Sequence, residues 1–279
     1  MNLNYFRWMP GKNEAPNLAE PKTLVFLHGL GGTGQIWRPI AAQLESQYDC
    51  VAPDQRGHGG SRPVPDDEKT RFHAEDYAQD IGTLIDQLGI QNFYLVGHSM
   101  GVRTALAVCE QKMNQVLGVI AVDIGISSEW GGGMGKPLGD FIRTLPENFP
   151  DRTSMREYLF KNCPDTSIAQ YLSAVAKNTS TSEIENWVFP FEHDSLVQTI
   201  AQAHEAPIGD WVTEIVTSGV RVLFLRGANS KVWLKDEYEA QMKTYAHPLL
   251  EFEEWENCGH GLPFEQRAKF VEKIKEFAT

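Results

Sequence analysis

The chain has 279 residues with 25 basic and 37 acidic side chains, which gives a formal net charge of −12. Its apolar fraction of 42% excludes a disordered chain, and the acidic balance argues against nucleic acid as a partner, because phosphate binding depends on Lys and Arg. No apolar run approaches the ~18 residues of a membrane span, and residues 1–12 lack the pattern of a signal peptide. We therefore expect a globular chain with a large core and no membrane span.

Short apolar, β-branched runs alternate with helical patterns along much of the chain. In chain order, the predicted strands cover residues 3–8, 23–28, 50–53, 93–97, 116–123, 221–226 and 251–255. Apolar residues at helical spacing predict an amphipathic helix over residues 77–88, another after Ser99 and a closing helix over residues 264–278. This alternation indicates an α/β protein in which parallel strands are joined by helices.

Residues 126–218 interrupt the alternation. This stretch is poor in predicted strands, helical in pattern and rich in aromatic residues. It predicts a helical cap inserted into an α/β core made of residues 1–125 and 219–279, and packed over one end of the sheet. The alternative is surface structure remote from any site.

A predicted strand leads directly into Gly97-His98-Ser99-Met100-Gly101 and then into a helix. A nucleophilic serine needs a tight turn that lifts its hydroxyl clear of the backbone, and bulky side chains two residues away on either side would collide with neighbouring backbone. The helix N-terminus also directs N–H groups toward a developing oxyanion. The segment predicts Ser99 as a nucleophile and the Met100 N–H as one oxyanion donor.

A second glycine-rich turn, His28-Gly29-Leu30-Gly31-Gly32, follows an earlier strand. An acyl-transfer enzyme needs a second preset N–H donor, and the backbone of Leu30 is the natural candidate. We interpret His28 as a structural residue that holds the turn, because it ends a buried strand. A nucleotide-phosphate site is disfavoured, since neither a P-loop Lys nor a complete Gly-x-Gly-x-x-Gly pattern follows.

His260 lies between the last predicted strand and the last predicted helix, flanked by Gly259 and Gly261. A general base needs an imidazole on a loop that can reach the serine hydroxyl, and glycines allow such a loop to turn sharply. The order Ser99 and then His260 is the one expected when the base follows the last strand. We interpret the nearby Cys258 as a packing residue.

With these three segments, the chain resembles the α/β-hydrolase family over nearly its whole length. The run Asp54-Gln55-Arg56-Gly57-His58-Gly59-Gly60-Ser61 also resembles that family's structural loop. The resemblance implies a mostly parallel, eight-stranded sheet flanked by helices, with the nucleophile after the fifth strand and a cap after the sixth. Epoxide hydrolases and haloalkane dehalogenases of this fold have Asp at the nucleophile position, so Ser99 implies acyl transfer to serine.

The acidic residue that would complete a catalytic triad with Ser99 and His260 departs from the family pattern. Members usually have Asp in a turn after the seventh strand, and here Ser230 stands in that place. Asp123 is the best substitute, because it ends the preceding strand and adjacent strands lie ~4.8 Å apart. A branch of esterases with short-chain ester and thioester activity is similar in both respects. Two alternatives stay open: Ser230 alone orients His260, or another acid such as Asp236 does.

The four cysteines are far apart in the sequence and match no metal-binding spacing. In a chain of this length they favour reduced thiols over a disulfide framework, and we expect a cytoplasmic protein. The cysteines are Cys50, Cys109, Cys163 and Cys258.

The sequence therefore predicts a serine esterase or thioesterase that acts on small to medium acyl chains without a metal or an organic cofactor. Its expected partner is a small-molecule ester or thioester. One alternative is a carbon–carbon bond hydrolase or a cofactor-free perhydrolase on the same triad. Another is a non-catalytic ligand sensor that kept the architecture, which the departure at Ser230 favours.

Overall fold

The computed structural model describes residues 1–10, 21–127, 133–179, 181 and 185–279. Within these residues, seven strands form the main sheet in the order β1-β3-β2-β4-β5-β9-β10, and three short strands form a second sheet in the order β6-β8-β7. The strands are β1 (Tyr5–Trp8), β2 (Thr23–Leu27), β3 (Asp49–Pro53), β4 (Phe93–His98), β5 (Val116–Val122), β6 (Asn148–Phe149), β7 (Lys177–Asn178), β8 (Trp187–Val188), β9 (Arg221–Gly227) and β10 (Leu250–Trp255).

The main sheet is parallel except at its first strand. β1 pairs antiparallel with β3 and forms one edge. The main sheet has seven strands among the described residues, where the family resemblance implied eight. One antiparallel strand, β1, precedes the six parallel strands. As a result, Ser99 follows the fourth strand in chain order, and the inserted segment follows the fifth.

The strand register brings several loops to one edge of the sheet. In the central strand β4, Gly97 pairs with Leu27 of β2 and His98 pairs with Val122 of β5. Val122 pairs in turn with Leu225 of β9. Because these strands are parallel, their carboxyl ends point the same way, and the residues that follow them lie next to each other.

Helices cover both faces of the sheet, as expected for strands that are buried on both sides. Apolar residues of α2 (Ala74–Gln87), α3 (Met100–Gln111) and α8 (Ile208–Thr217) share one hydrophobic cluster with the sheet. Those of α1 (Arg38–Ala41) and α11 (Arg267–Phe277) share another on the opposite face. The predicted closing helix is broken at Gln266, which has the non-helical dihedrals φ −119° and ψ 47°. The helices are α1 (Arg38–Ala41), α2 (Ala74–Gln87), α3 (Met100–Gln111), α4 (Gly135–Thr144), α5 (Arg152–Asn162), α6 (Thr166–Val175), α7 (His193–Gln202), α8 (Ile208–Thr217), α9 (Lys235–Thr244), α10 (Leu262–Glu265) and α11 (Arg267–Phe277).

The inserted segment has its own hydrophobic cluster, built from α4, α5, α6, α7 and the small sheet. The sequence predicted that the inserted segment ends at residue 218, but the packing places its end before α8. α8 belongs to the core, because Ile208, Val212 and Ile215 lie on one helical face and pack in the same cluster as α3. The segment is also not purely helical, since three two-residue strands pair within it.

Hydrogen bonds join the inserted segment to the core near its C-terminal end. The Gly59 N–H donates to the Pro190 carbonyl at 2.6 Å, and the Glu192 N–H donates to the Gly57 carbonyl at 2.9 Å. These two bonds hold the start of α7 against the glycine-rich loop that follows β3. Among the described residues, no helix is long and apolar enough to cross a membrane.

Candidate active site

Ser99 occupies a strained turn between β4 and α3. Its dihedrals, φ 54° and ψ −123°, are unfavourable for a residue with a side chain and cost about 1–3 kcal/mol. The turn is so tight that a Cβ at Gly101 would lie 2.2 Å from the Leu27 carbonyl oxygen. A Cβ at Gly97 would lie 2.4 Å from the carbonyl oxygen of Gly101. The two glycines therefore allow the close backbone packing that the serine turn requires.

Asp123 lies directly after β5 and is also held at a positive φ of 55°. Its carboxylate is fully buried and accepts three hydrogen bonds. The Gly227 N–H donates to Oδ1 at 2.9 Å, and the Ser230 hydroxyl and His260 Nδ1 donate to Oδ2 at 2.6 and 2.8 Å. A buried carboxylate is stable only with such partners. Because Nδ1 is the donor, Nε2 of the neutral His260 ring carries the lone pair that a general base needs.

Ser230 contacts the carboxylate of Asp123 and not the ring of His260. Its hydroxyl oxygen also accepts hydrogen bonds from the N–H groups of Val232 and Trp233, at 3.2 and 3.3 Å. Asp236 is exposed in the first turn of α9. Of the alternatives that the sequence left open, this arrangement favours Asp123 as the partner of His260 and Ser230 as a residue that holds Asp123.

Ser99 and His260 line the same cavity, although no hydrogen bond joins them among the contacts of the described residues. The cavity has a volume of about 30 Å³, and among the described residues of its wall the ionisable groups are His98, His260 and the Tyr171 phenol. Its lining residues are Gly29, Leu30, His98, Ser99, Met134, Leu138, Ile142, Ile168, Tyr171, Leu172, Leu196, Val232 and His260. A larger open groove of about 880 Å³ lies between Arg62 and His193 and contains neither Ser99 nor His260.

Leu30 lines this cavity, and Met100 directly follows Ser99, which also lines it. The amides of Leu30 and Met100 donate to no protein acceptor among the described contacts. Buried amides normally have a partner, and Met100 is buried. The Met100 amide is also the first of α3, where the helix dipole favours negative charge. Both amides are therefore available to an oxygen atom of a bound ligand.

Two buried histidines hold the turn that carries Leu30. His28 donates from Nδ1 to the Gly29 carbonyl at 2.8 Å and accepts from the Gln55 N–H at 3.0 Å. His58 accepts from the Gly31 N–H at 3.0 Å. Both ring nitrogens of His28 are thus used by the backbone, which confirms the interpretation of His28 as a structural residue.

Burial makes these histidines a source of pH-dependent stability. It lowers the pKa of His28 from 6.5 to about 4 and that of His58 to about 3. Between these values and pH 6.5, the unfolded chain binds more protons than the folded chain. The contribution of these histidines to the free energy of unfolding is therefore fully present above pH 6.5 and is lost as the pH falls toward 4. We expect the shifted pKa of His28 alone to lower the free energy of unfolding by about 2 kcal/mol at pH 5 relative to pH 7.5. The urea midpoint should therefore be lower at pH 5 than at pH 7.5.

A variant without one titrating ring provides the control for this prediction. His58→Gln should be less stable than the wild type at pH 7.5, but its loss between pH 7.5 and 5 should be smaller. Equal urea midpoints for the wild type at the two pH values would contradict the prediction.

Among the residues of the cavity wall that sequence reasoning did not assign are two with polar side chains, His98 and Tyr171. His98 stands inside the serine motif, but nothing in the sequence shows where its ring points. Tyr171 lies in α6, and its hydroxyl is 3.5 Å from the Gly29 carbonyl oxygen. It was one of several aromatic residues in the inserted segment, and their spacing does not separate the cavity wall from the segment's own core.

A mostly parallel sheet whose central strand ends in a strained serine turn, with an imidazole and a buried carboxylate at the same edge, defines a hydrolase of the α/β class. Comparison with known proteins agrees. Residues 22–260 match the family model of the alpha/beta hydrolase fold, and the chain belongs to that family.

Relatives within the family act on different compounds. A segment of 100 residues, 36% of this chain, is 35% identical to the 2-(acetamidomethylene)succinate hydrolase of Mesorhizobium japonicum and spans only 34% of that protein's length. Over 266 residues, the chain is 26% identical to the sn-1-specific diacylglycerol lipase of Mus musculus, with 91% of this chain and 80% of the lipase covered. The solved structure of a marine microorganism esterase superposes with a TM-score of 0.77 at 20% identity over 99% of both chains, which shows a shared fold.

Proposed function

We propose that the protein is a serine hydrolase that cleaves carboxylic esters or thioesters of small to medium acyl chains through an acyl-enzyme on Ser99. One observation carries this proposal. The His260 ring, bonded through Nδ1 to the fully buried Asp123 carboxylate, lines the same cavity as the strained turn of Ser99. This is the arrangement that nucleophilic catalysis by a serine requires.

In the proposed mechanism, His260 Nε2 takes the proton of the Ser99 hydroxyl as its oxygen attacks the acyl carbon. The amides of Leu30 and Met100 stabilise the oxyanion, and the bond from the acyl carbon to oxygen or sulfur breaks. The leaving alcohol or thiol receives the proton from His260. Water then attacks the acyl-enzyme, gives a proton to Nε2 and releases the acid, and Ser99 regains its proton. The hydrogen bond between Ser99 and His260 forms in the substrate complex, since catalytic hydrogen bonds are often long without ligand.

The lining of the cavity favours the binding of an uncharged, apolar acyl group. Leu138, Ile142 and Leu172 of the inserted segment face it, and none of the described residues that line it is Lys, Arg, Asp or Glu. We propose that the segment from residue 133 to about residue 205 is a cap that closes over the acyl group. Since the closed cavity is small, short acyl chains fit best, and longer ones require movement of α4 or α6.

A substrate profile tests this function. We expect the wild type to hydrolyse acetyl and butyryl esters of p-nitrophenol, and the matching thioesters, faster than octanoyl or longer ones. A pre-steady-state burst of p-nitrophenol would indicate an acyl-enzyme. Turnover of meta-cleavage diketones, or of peroxide with a carboxylate, in place of esters would instead support the carbon–carbon hydrolase or the perhydrolase. Ligand binding without any turnover would support a sensor.

Tyr171→Ala is expected to change the acyl-chain preference. The side chain of Tyr171 lies over the turn of residues 28–32, which carries Leu30. Its hydroxyl oxygen would be 2.0 Å from a Cβ at Gly32. Its removal enlarges the cavity, so we expect the ratio of octanoyl to acetyl kcat/KM to rise at least about tenfold. Tyr171→Phe keeps the ring and should leave that ratio within about twofold of the wild type. An unchanged ratio in Tyr171→Ala would show that Tyr171 does not limit the acyl site.

We also propose a cytoplasmic location. All four cysteines are free thiols, and Cys50, Cys109 and Cys258 are buried. Unpaired cysteines are typical of reducing compartments. Fractionation of cells that express the protein would test this proposal.

A further inference from the structure

His98, the residue directly before Ser99, is fully buried with its ring against the ring of His260. The centroids of the two rings are 4.8 Å apart, and the ring of Phe264 stands edge-on to His98 at 5.7 Å. His98 also lines the cavity that holds Ser99. A polar ring in this position would be costly without a hydrogen bond, so its partner is informative.

The partner is the backbone of the proposed general base. His98 Nε2 lies 2.7 Å from the carbonyl oxygen of His260. A carbonyl oxygen only accepts, so Nε2 carries the proton. Burial lowers the pKa of His98 to about 3, and the ring is therefore neutral at pH 7 with its single proton on Nε2. The bond is thus a permanent donor contact from His98 to the loop that carries His260.

The hydrogen bond from His98 holds the His260 carbonyl, whereas other hydrogen bonds hold the residues before it. Gly259 donates to the Glu265 side chain at 3.0 Å, and the Cys258 carbonyl accepts from the Asn229 N–H at 2.9 Å. Within the described residues, the His260 carbonyl accepts only from His98. Its ring is held separately, through Nδ1 on Asp123. The backbone of the base is therefore anchored to the residue next to the nucleophile.

We propose that His98 is a positioning residue, whose hydrogen bond to the His260 carbonyl sets the placement of the imidazole relative to the Ser99 hydroxyl. This inference rests on the proposed function. Both anchors of His260 come from strand ends of the same sheet, since His98 ends β4 and Asp123 directly follows β5, and neither belongs to the inserted segment.

Two substitutions separate the hydrogen bond from the bulk of the ring. In His98→Gln, the amide nitrogen is separated from Cα by the same number of bonds as Nε2, so the donor is kept. His98→Leu fills the space without a donor. We expect His98→Leu to lower kcat on a short-chain ester about a hundredfold, because a misplacement of about 1 Å can cost that much. KM should stay within about twofold, and His98→Gln should recover most of kcat.

Hydrogen exchange gives a readout that does not need turnover. Amides of residues 256–261 should exchange faster in His98→Leu than in the wild type, and at the wild-type rate in His98→Gln. If the wild type hydrolyses no ester, the proposed function fails, but the exchange comparison still decides whether His98 holds the loop. If His98→Leu does not fold, His98→Asn, whose amide is too short to reach His260, takes its place.

Two results would overturn the inference. One is a kcat in the donor-free variant within about twofold of the wild type together with unchanged exchange in the loop. The other is an equal loss of kcat in the Gln and Leu variants, both folded, which would assign the effect to packing of the ring and not to the hydrogen bond.

Discussion

Ser99→Ala is expected to lower kcat for a short p-nitrophenyl ester by at least about a thousandfold and to abolish labelling by a fluorophosphonate. The substitution removes the attacking oxygen but keeps the Cβ, so the strained turn at φ 54° is equally accessible to alanine. Steady-state kinetics and labelling followed by intact-mass analysis measure the two effects. Thermal unfolding should show a midpoint close to that of the wild type.

Ser46→Ala is the matched control for this prediction, because Ser46 is exposed and remote from the cavity. It should keep both turnover and labelling. Turnover that survives in Ser99→Ala, beyond what contamination explains, would remove the proposed mechanism. Labelling that persists at another serine would show that the nucleophile lies elsewhere.

Asp123→Asn is expected to lower kcat by about four powers of ten, the loss seen when the corresponding carboxylate of a serine protease is replaced. Asparagine has no charge to stabilise the imidazolium of His260. Its amide group also donates where His260 Nδ1 needs an acceptor, and so favours the wrong tautomer. Steady-state kcat on the same ester, in samples with matched circular dichroism spectra, measures the effect.

Two further variants decide between the acids that the sequence left open. Ser230→Ala removes one of three donors to the Asp123 carboxylate, and we expect less than about a hundredfold loss of kcat together with about 1–3 kcal/mol of stability. Asp236→Asn changes an exposed carboxylate and should leave kcat unchanged. A severe loss in Ser230→Ala with a mild loss in Asp123→Asn would instead make Ser230 the residue that orients His260.

The order of strands and helices was largely predictable from local pattern. The predicted helix at residues 77–88 corresponds to α2 (Ala74–Gln87), since its apolar side chains recur every three to four residues. The alternation of strands and helices also predicted an α/β protein. The resemblance of the segments around Ser99, Leu30 and His260 to a known family implied the α/β hydrolase fold, which the family match confirms. Where packing decides, the prediction was less accurate. The closing helix breaks at Gln266, and α8 joins the core and not the inserted segment.

The residues of the candidate site likewise fall into those that the sequence predicted and those whose contacts only the structure shows. Ser99 and His260 could be proposed from the sequence because a strained turn and a sharply turning loop each favour glycine at neighbouring positions. The partner of His260 could not be decided, because Asp123 and Ser230 are 107 residues apart in the chain. Only the register that places β5 beside β9 brings the two side chains together and shows that the serine donates to the carboxylate.

The sequence by itself determined most of the secondary structure, the α/β class and the turns that carry Ser99, Leu30 and His260, because these depend on local spacing and on glycine. The tertiary structure alone decided which side chains face one another. It showed His98 donating to the backbone of His260 and the Tyr171 hydroxyl reaching the Gly29 carbonyl oxygen. Such contacts join residues far apart in the chain, and their formation depends on how strands pair and helices pack, which local sequence does not encode.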